Sequence, residues 1–319
     1  MPTIHAALAD RLLVASGPDW TTTAALSGRS LECVAATDGT VLVGTFESGL
    51  WRETGDGFEQ SWPTDAPQAV TSVAVSPVDG RCWAGTEPSA VYRSTDAGQS
   101  WARCGDLTAL PSSSRWSFPP RPHTHHVRWL EPDPADPETL YVGIENGAFL
   151  RTSDGGETWQ DHPDGARRDN HQLATHVDAP GRVYTAAGDG YAESLDGGDA
   201  WTYPQDGLAH RYVWSLAVDP ADPDHVLVVA ASGAHQAHRS DGESYVYRTD
   251  GDGWTVAMDG LPGPDGVARP ILDTGPDGAF YALSNHGLFR SEDGVTWQNL
   301  GVEWREAWRE QVPRGLRVV

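Results

Sequence analysis

The segment Arg151-Thr-Ser-Asp-Gly-Gly-Glu-Thr-Trp159 decides how the chain is read. A hydroxyl residue, an aspartate, a glycine and a tryptophan stand at fixed offsets in it. Asp can accept backbone N–H bonds across a tight turn, Gly supplies the positive φ such a turn demands, and Trp opens the following strand by burying a large ring. Ser94, Asp96, Gly98 and Trp101 repeat the pattern, as do Ser194, Asp196, Gly198 and Trp201. Ser291, Asp293 and Trp297 repeat it with one residue fewer, and weaker echoes end at Trp20, Phe58 and Trp254. Steps between the seven closing aromatics are 38, 43, 58, 42, 53 and 43 residues. A hairpin signal returning at roughly this period is the mark of a β-propeller.

The motifs resemble the Asp-box, or BNR, repeat of sialidases, sortilin-like receptors, xyloglucan hydrolases and photosystem-assembly factors. The resemblance runs through nearly the whole chain. It implies an all-β propeller and no particular activity, because the box is a turn device.

Thr3–Leu26 aligns without a gap onto Val41–Thr64, which supplies the second, third and fourth strands of a blade. The N-terminus therefore begins at a second strand and lacks an innermost one. The isolated apolar stretch Gly315-Leu-Arg-Val-Val319 is expected to provide it, closing the ring and removing open sheet edges. Complete blades begin near Leu31, Val70, Val127, Gln172, Val213 and Arg269. Six of these plus the composite make seven blades in one domain spanning residues 1–319. Six blades is the alternative, if the first repeat is only a capping hairpin.

Two insertions break the period. Leu107–Thr124, rich in Pro and Ser, joins one blade's outer strand to the next blade's inner strand, and Ser232–Ser244 lengthens a hairpin between second and third strands. Both connection types emerge on the face opposite the Asp boxes. Loops longer than their repeat requires tend to carry function.

The same face collects the chemistry. Innermost strands converge on the axis, so residues that open them can meet although they are distant in sequence. His126, His171, His210 and His286 are the expected ligands of a divalent transition metal (Zn, Fe, Mn, Ni or Cu), since converging neutral imidazoles with a vacant position form an open site. Glu145 is the expected base or the partner of a second ring nitrogen. Arg211 and Arg269 are expected to orient an anionic substrate through bidentate bonding. His123, His125, Trp116, His235 and His238 are candidates for contacts from the two long loops.

The leading expectation is thus a soluble enzyme or binder for a small anionic or polar molecule, a metal-dependent hydrolase or lyase if catalytic. The first alternative is a glycoside hydrolase acting on a sugar or sugar acid; the second is a non-catalytic interaction scaffold. Sialidases of the resembling class have six blades and an Arg-Ile-Pro motif near the start, whereas this chain has Arg269-Pro-Ile late. Xyloglucan hydrolases of the class use two propellers. No catalytic residue is therefore carried over from either.

Composition narrows the partners. The net charge is −23, and all 22 basic residues are Arg. An acidic, lysine-free surface points to adaptation to high salt, where carboxylates hold hydration and self-repulsion is screened. It argues against nucleic acid and anionic membrane as partners. Cys33, Cys82 and Cys104 lack metal-motif spacing and are expected to be free thiols. Polar residues interrupt the first twenty positions and no 18-residue apolar run occurs, so the expectation is a cytoplasmic chain without a membrane span. Oligomeric state is left open.

Overall fold

The computed structural model describes residues 1–319 and shows seven antiparallel sheets arranged in a ring. The seven innermost strands are Leu31–Thr37, Ala69–Val75, Val127–Pro132, Asn170–Thr175, Tyr212–Asp219, Ile271–Thr274 and Gly315–Val318. Each contacts the next around the axis, and Gly315–Val318 contacts Leu31–Thr37 to complete the circuit. The closing strand pairs antiparallel with Ile4–Ala7, Val318 opposite Ile4 and Gly315 opposite Ala7. The seven-bladed count and the C-terminal closure are both as expected. Two of the blades hold only three regular strands. Their fourth is reduced to a single bridge, Arg151 with Gln160 in one and Glu193 with Thr202 in the other.

The core is divided among the blades. Seven apolar clusters fill the seven interfaces between neighbouring sheets, for example Tyr141 and Phe149 against Leu173 and Val183, or Ala217 and Leu227 against Leu272 and Phe280. Middle strands are covered on both faces. This is why Cys82–Glu87 and Phe280–Ser284 are buried at every position and do not alternate.

The box turns behave as their chemistry dictates. Ser94 Oγ donates to Asp96 Oδ1 at 2.7 Å, and Asp96 accepts the backbone N–H of Ser100 at 2.9 Å. Thr152 and Asp154 repeat this at 2.7 Å, with Asp154 accepting from Thr158 N at 2.9 Å. These bonds, led by that from the Ser100 hydroxyl, hold the Asp96 carboxyl well below its usual range. Gly198 has φ +93°, and a Cβ there would lie 2.6 Å from the Phe149 ring. The position thus demands Gly both for conformation and for space. The box tryptophans reach back to the preceding blade. Trp201 packs edge-on to Phe149 at 5.0 Å, and Trp297 Nε1 donates to Ala257 O at 3.0 Å.

All seven inner strands start at one end of the axis, the end that also carries both long loops. No helix is long and apolar enough to cross a membrane.

Candidate site at the channel mouth

Where the inner strands start, the axis opens into a cavity of about 350 Å³. Arg128, Arg269 and Arg314 enter it from three blades, with Glu32, Glu145, His126 and His238 between them and Trp214 beneath. The long loop 107–124 adds Phe118 and Arg121.

Arg269 is the unusual member. It is 4% exposed, and its Nε and Nη1 have no hydrogen-bond partner. Its guanidinium lies over the Trp214 ring at 3.7 Å, an attractive contact that replaces no hydrogen bond. Burial, then the charges of Arg314 and Arg128, push its pKa far down from the ordinary arginine value. Because a guanidinium keeps its proton in proteins, that cost is a demand for an anion rather than a proton loss. The neighbours do not meet the demand. Arg128 Nε stands 3.7 Å from Glu145, and Arg314 Nη1 stands 3.6 Å from Glu32, both beyond hydrogen-bond distance. Arg314 Nε is also unpartnered.

His126 bridges two carboxylates: its Nε2 lies 3.0 Å from Glu145 Oε2 and its Nδ1 lies 3.8 Å from Glu87. Burial would raise the Glu145 pKa, but the His126 bond and the neighbouring His126, His171 and Arg128 side chains outweigh it and hold the carboxyl below its ordinary range. Glu87 is itself clamped bidentately by Arg121, at 2.7 and 2.5 Å. Loop 107–124 therefore docks an arginine into the mouth and is anchored there.

The expected site residues divide. His126, Glu145, Arg269 and His238 meet at the mouth. His238 donates or accepts with the Tyr212 hydroxyl at 2.8 Å and sits edge-on to Trp214 at 4.7 Å. His171 packs beside Trp214, ring centroids 4.4 Å apart, fully buried, with Nδ1 2.7 Å from Val213 O. The other expected ligands do not join it. His286 places Nε2 2.9 Å from Gly266 O and Nδ1 3.0 Å from Arg309, so both ring nitrogens are committed. His210 stacks flat on Tyr245 at 3.9 Å and bonds the Tyr247 hydroxyl at 2.6 Å. The four histidines thus form no common ligand set.

Arg211 is exposed and borders a separate shallow groove with Tyr203 and Asp206. Trp116 is no lid: it is 6% exposed, and its Nε1 donates to Ser112 Oγ at 3.0 Å. His125 sits edge-on to Trp116 at 5.5 Å, and His123 and His235 are exposed.

One group of metal-ligating character does assemble, and only part of it was expected. Glu145, Asp169 and His171 bring one donor atom each within 4.8 Å of one another. Asp169 went unremarked in the sequence. Its signal was its place, immediately ahead of the inner strand that carries His171.

No family model matches the chain. The xyloglucanase Xgh74A of Acetivibrio thermocellus is 25% identical over 247 residues, covering 67% of this chain and 28% of its own length. Among solved structures, an ancestral GH74 enzyme superposes with TM-score 0.64 at 16% identity, over 93% of this chain and 40% of the other. The GH74 xyloglucanase of Xanthomonas campestris gives TM-score 0.64 at 15% identity, over 97% and 52%. YCF48 bound to a D1 peptide gives 0.58 at 17% identity, over 85% and 82%. The chain spans well under a third of the curated relative it matches and about half or less of the GH74 structures. These likenesses show the propeller fold, with GH74 and YCF48 propellers as neighbours.

Proposed function

We propose that this chain is a carbohydrate-directed propeller, related to glycoside hydrolases, whose axial mouth takes a saccharide bearing a carboxylate. The observation that carries the reading is Arg269, a buried guanidinium without a counter-charge, flanked by two further arginines whose ion pairs are long. A uronate would accept bidentate bonds from Arg269 and complete Arg128 or Arg314. Sugar hydroxyls would meet Glu32, His238 and Glu145 on the cavity wall. The likeness to a xyloglucanase supports a saccharide as the bearer of the charge.

Calorimetric titration with an oligogalacturonide tests this, with a neutral xyloglucan oligosaccharide as control. The acidic sugar is expected to bind and the neutral one to bind at least tenfold more weakly. Arg269→Met should weaken the acidic sugar about 100-fold, the loss of two charge-assisted bonds. Equal affinity for both sugars, or an unaffected variant, would falsify the reading. Turnover of an aryl uronide, lost in Glu145→Gln, would extend recognition to hydrolysis.

A second reading has one observation in its favour: YCF48, of which this chain covers 82%, is solved with a peptide bound. A peptide's terminal carboxylate offers the arginines the same chemistry. A peptide that binds with a free C-terminus and fails when amidated, alongside no uronide binding, would select it.

A further inference from the structure

We propose a divalent cation site of the Zn²⁺ or Mn²⁺ class beside the mouth, formed by His171, Asp169 and Glu145. It borders the cavity and shares Glu145 with the cavity wall, while Asp169 and His171 do not line it.

The argument starts from His171. The Val213 carbonyl, 2.7 Å from Nδ1, can only accept, so Nδ1 carries the proton and donates it. That fixes the ring and leaves Nε2 facing the two carboxylates. Nε2 is fully buried and has no hydrogen-bond partner. Its nearest carboxylate oxygen, Asp169 Oδ2, is 3.8 Å away, too far for a hydrogen bond. A second proton on Nε2 would be buried and unpaired, while a lone pair there would confront two anions. A cation between the three groups resolves both conflicts. Metal-bound histidines are commonly held in this way, with the far nitrogen donating to a backbone carbonyl.

Ligands at about 2.1 Å from a tetrahedral ion are about 3.4 Å apart; His171 and Asp169 stand at 3.8 Å and all three donors lie within 4.8 Å, so the groups close in by about 1 Å on the ion. One imidazole with two carboxylates suits a borderline first-row ion better than Mg²⁺ or Ca²⁺, which prefer all-oxygen sets. The backbone makes room for the carboxylate: a Cβ on Gly188 would fall 1.9 Å from Asp169 Oδ2. Asp169 is steadied by the Asn146 N–H at 2.9 Å on its other oxygen. Its side chain is 29% exposed, which gives the ion a path from solvent and leaves coordination positions open to water.

The test uses full-length protein stripped with chelator and titrated separately with ZnCl₂ and MnCl₂. One equivalent of either ion is expected to bind with micromolar or tighter affinity, and Asp169→Asn and His171→Gln should each weaken it at least tenfold. Cobalt(II) in the same site should give visible d–d absorption that Asp169→Asn removes. No binding up to millimolar metal overturns the proposal, as does binding unchanged by Asp169→Asn. Asp169→Asn is isosteric, and its folding is checked by circular dichroism and thermal unfolding against the parent chain. Nitrogen-15 spectra supply a test without any variant: a His171 ring protonated on both nitrogens before and after metal addition would identify an imidazolium instead and end the proposal.

Discussion

The two ends of the axial channel are built from the same seven strands and solve the same electrostatic problem in opposite ways. At the far end, Asp273 accepts from Arg317 at 3.1 Å and from Val318 N at 2.8 Å. Glu131 there accepts from Trp129 Nε1 at 3.1 Å and Thr175 Oγ1 at 3.0 Å. At the mouth, Arg269 and Arg314 carry unpartnered nitrogens, as do His126 and His171. A chain able to satisfy charges in one layer leaves them unsatisfied about four residues away along the same strands. Stability does not explain the second arrangement; the proposed ligand would.

The comparison fails altogether without the closing strand, which contributes Arg314 to one end and Arg317 to the other. Deleting residues 314–319 exposes the Ile4–Ala7 edge and removes Leu316 and Val318 from the cluster shared by the first and last blades. The expected effect is loss of most of the fold's stability, on the order of 5 kcal/mol or more, seen as aggregation or a collapsed thermal transition. A monomeric truncation with an unchanged melting temperature would show that the ring does not depend on this strand.

Truncating Arg269 at the mouth and Asp273 at the far end should then have opposite signs. Arg269→Met at the mouth removes a buried charge that makes no hydrogen bond, and is expected to raise stability by about 1–3 kcal/mol while binding is lost. Asp273→Ala at the far end leaves the buried Val318 N–H and Arg317 without their acceptor and is expected to lower stability by about 1–2 kcal/mol. Arg317 is about half exposed to channel water, so the larger penalty of a fully buried pair does not apply. Urea denaturation of both variants checks the signs. A destabilised Arg269→Met would mean that the mouth is structural and the contrast spurious.

The fold was legible because its determinants are local and repeated. An Asp box states its turn within eight residues, and seven returns of a tryptophan or its substitute state the ring. The closure was legible because Thr3–Leu26 overlays a later blade and is short by one strand. The site was legible only in part. Position at the start of an inner strand brought Arg269, Arg128 and His126 to the axis, and a place in the hairpin between second and third strands brought Glu145. The first rule failed for His210 and the second for His286, because position along a blade fixes where a residue sits and not which neighbour its ring engages. Tyr245 and Tyr247 take one ring, Gly266 and Arg309 the other. Trp116 misled because an aromatic in a Pro- and Ser-rich loop reads as exposed, whereas two short 3-10 turns fold it into the core. Asp169 was invisible because the chain is full of turn aspartates, and only coordinates separate one that faces His171.

The far end sharpens the comparison with a pH test. Burial, partly offset by the bonds from Trp129 and Thr175 and the charge of Arg317, raises the Glu131 pKa to about 7. A carboxyl with a higher pKa folded than unfolded binds more protons in the native state, so stability falls as pH rises from the ordinary glutamate range through about 7 and is level above it. At 1.36 kcal/mol per unit the full displacement is about 3 kcal/mol, and channel water reduces this to about 1–2 kcal/mol. Glu131→Gln keeps a carbonyl acceptor for Trp129 Nε1 and turns its NH2 to the Thr175 hydroxyl, which can accept, without acquiring charge. It should match the parent near pH 4.5 and exceed it by that amount at pH 8 in urea denaturation. A difference that does not change with pH would mean that the bonds from Trp129 and Thr175 and the charge of Arg317 offset burial completely, leaving Arg269 at the mouth as the unbalanced charge.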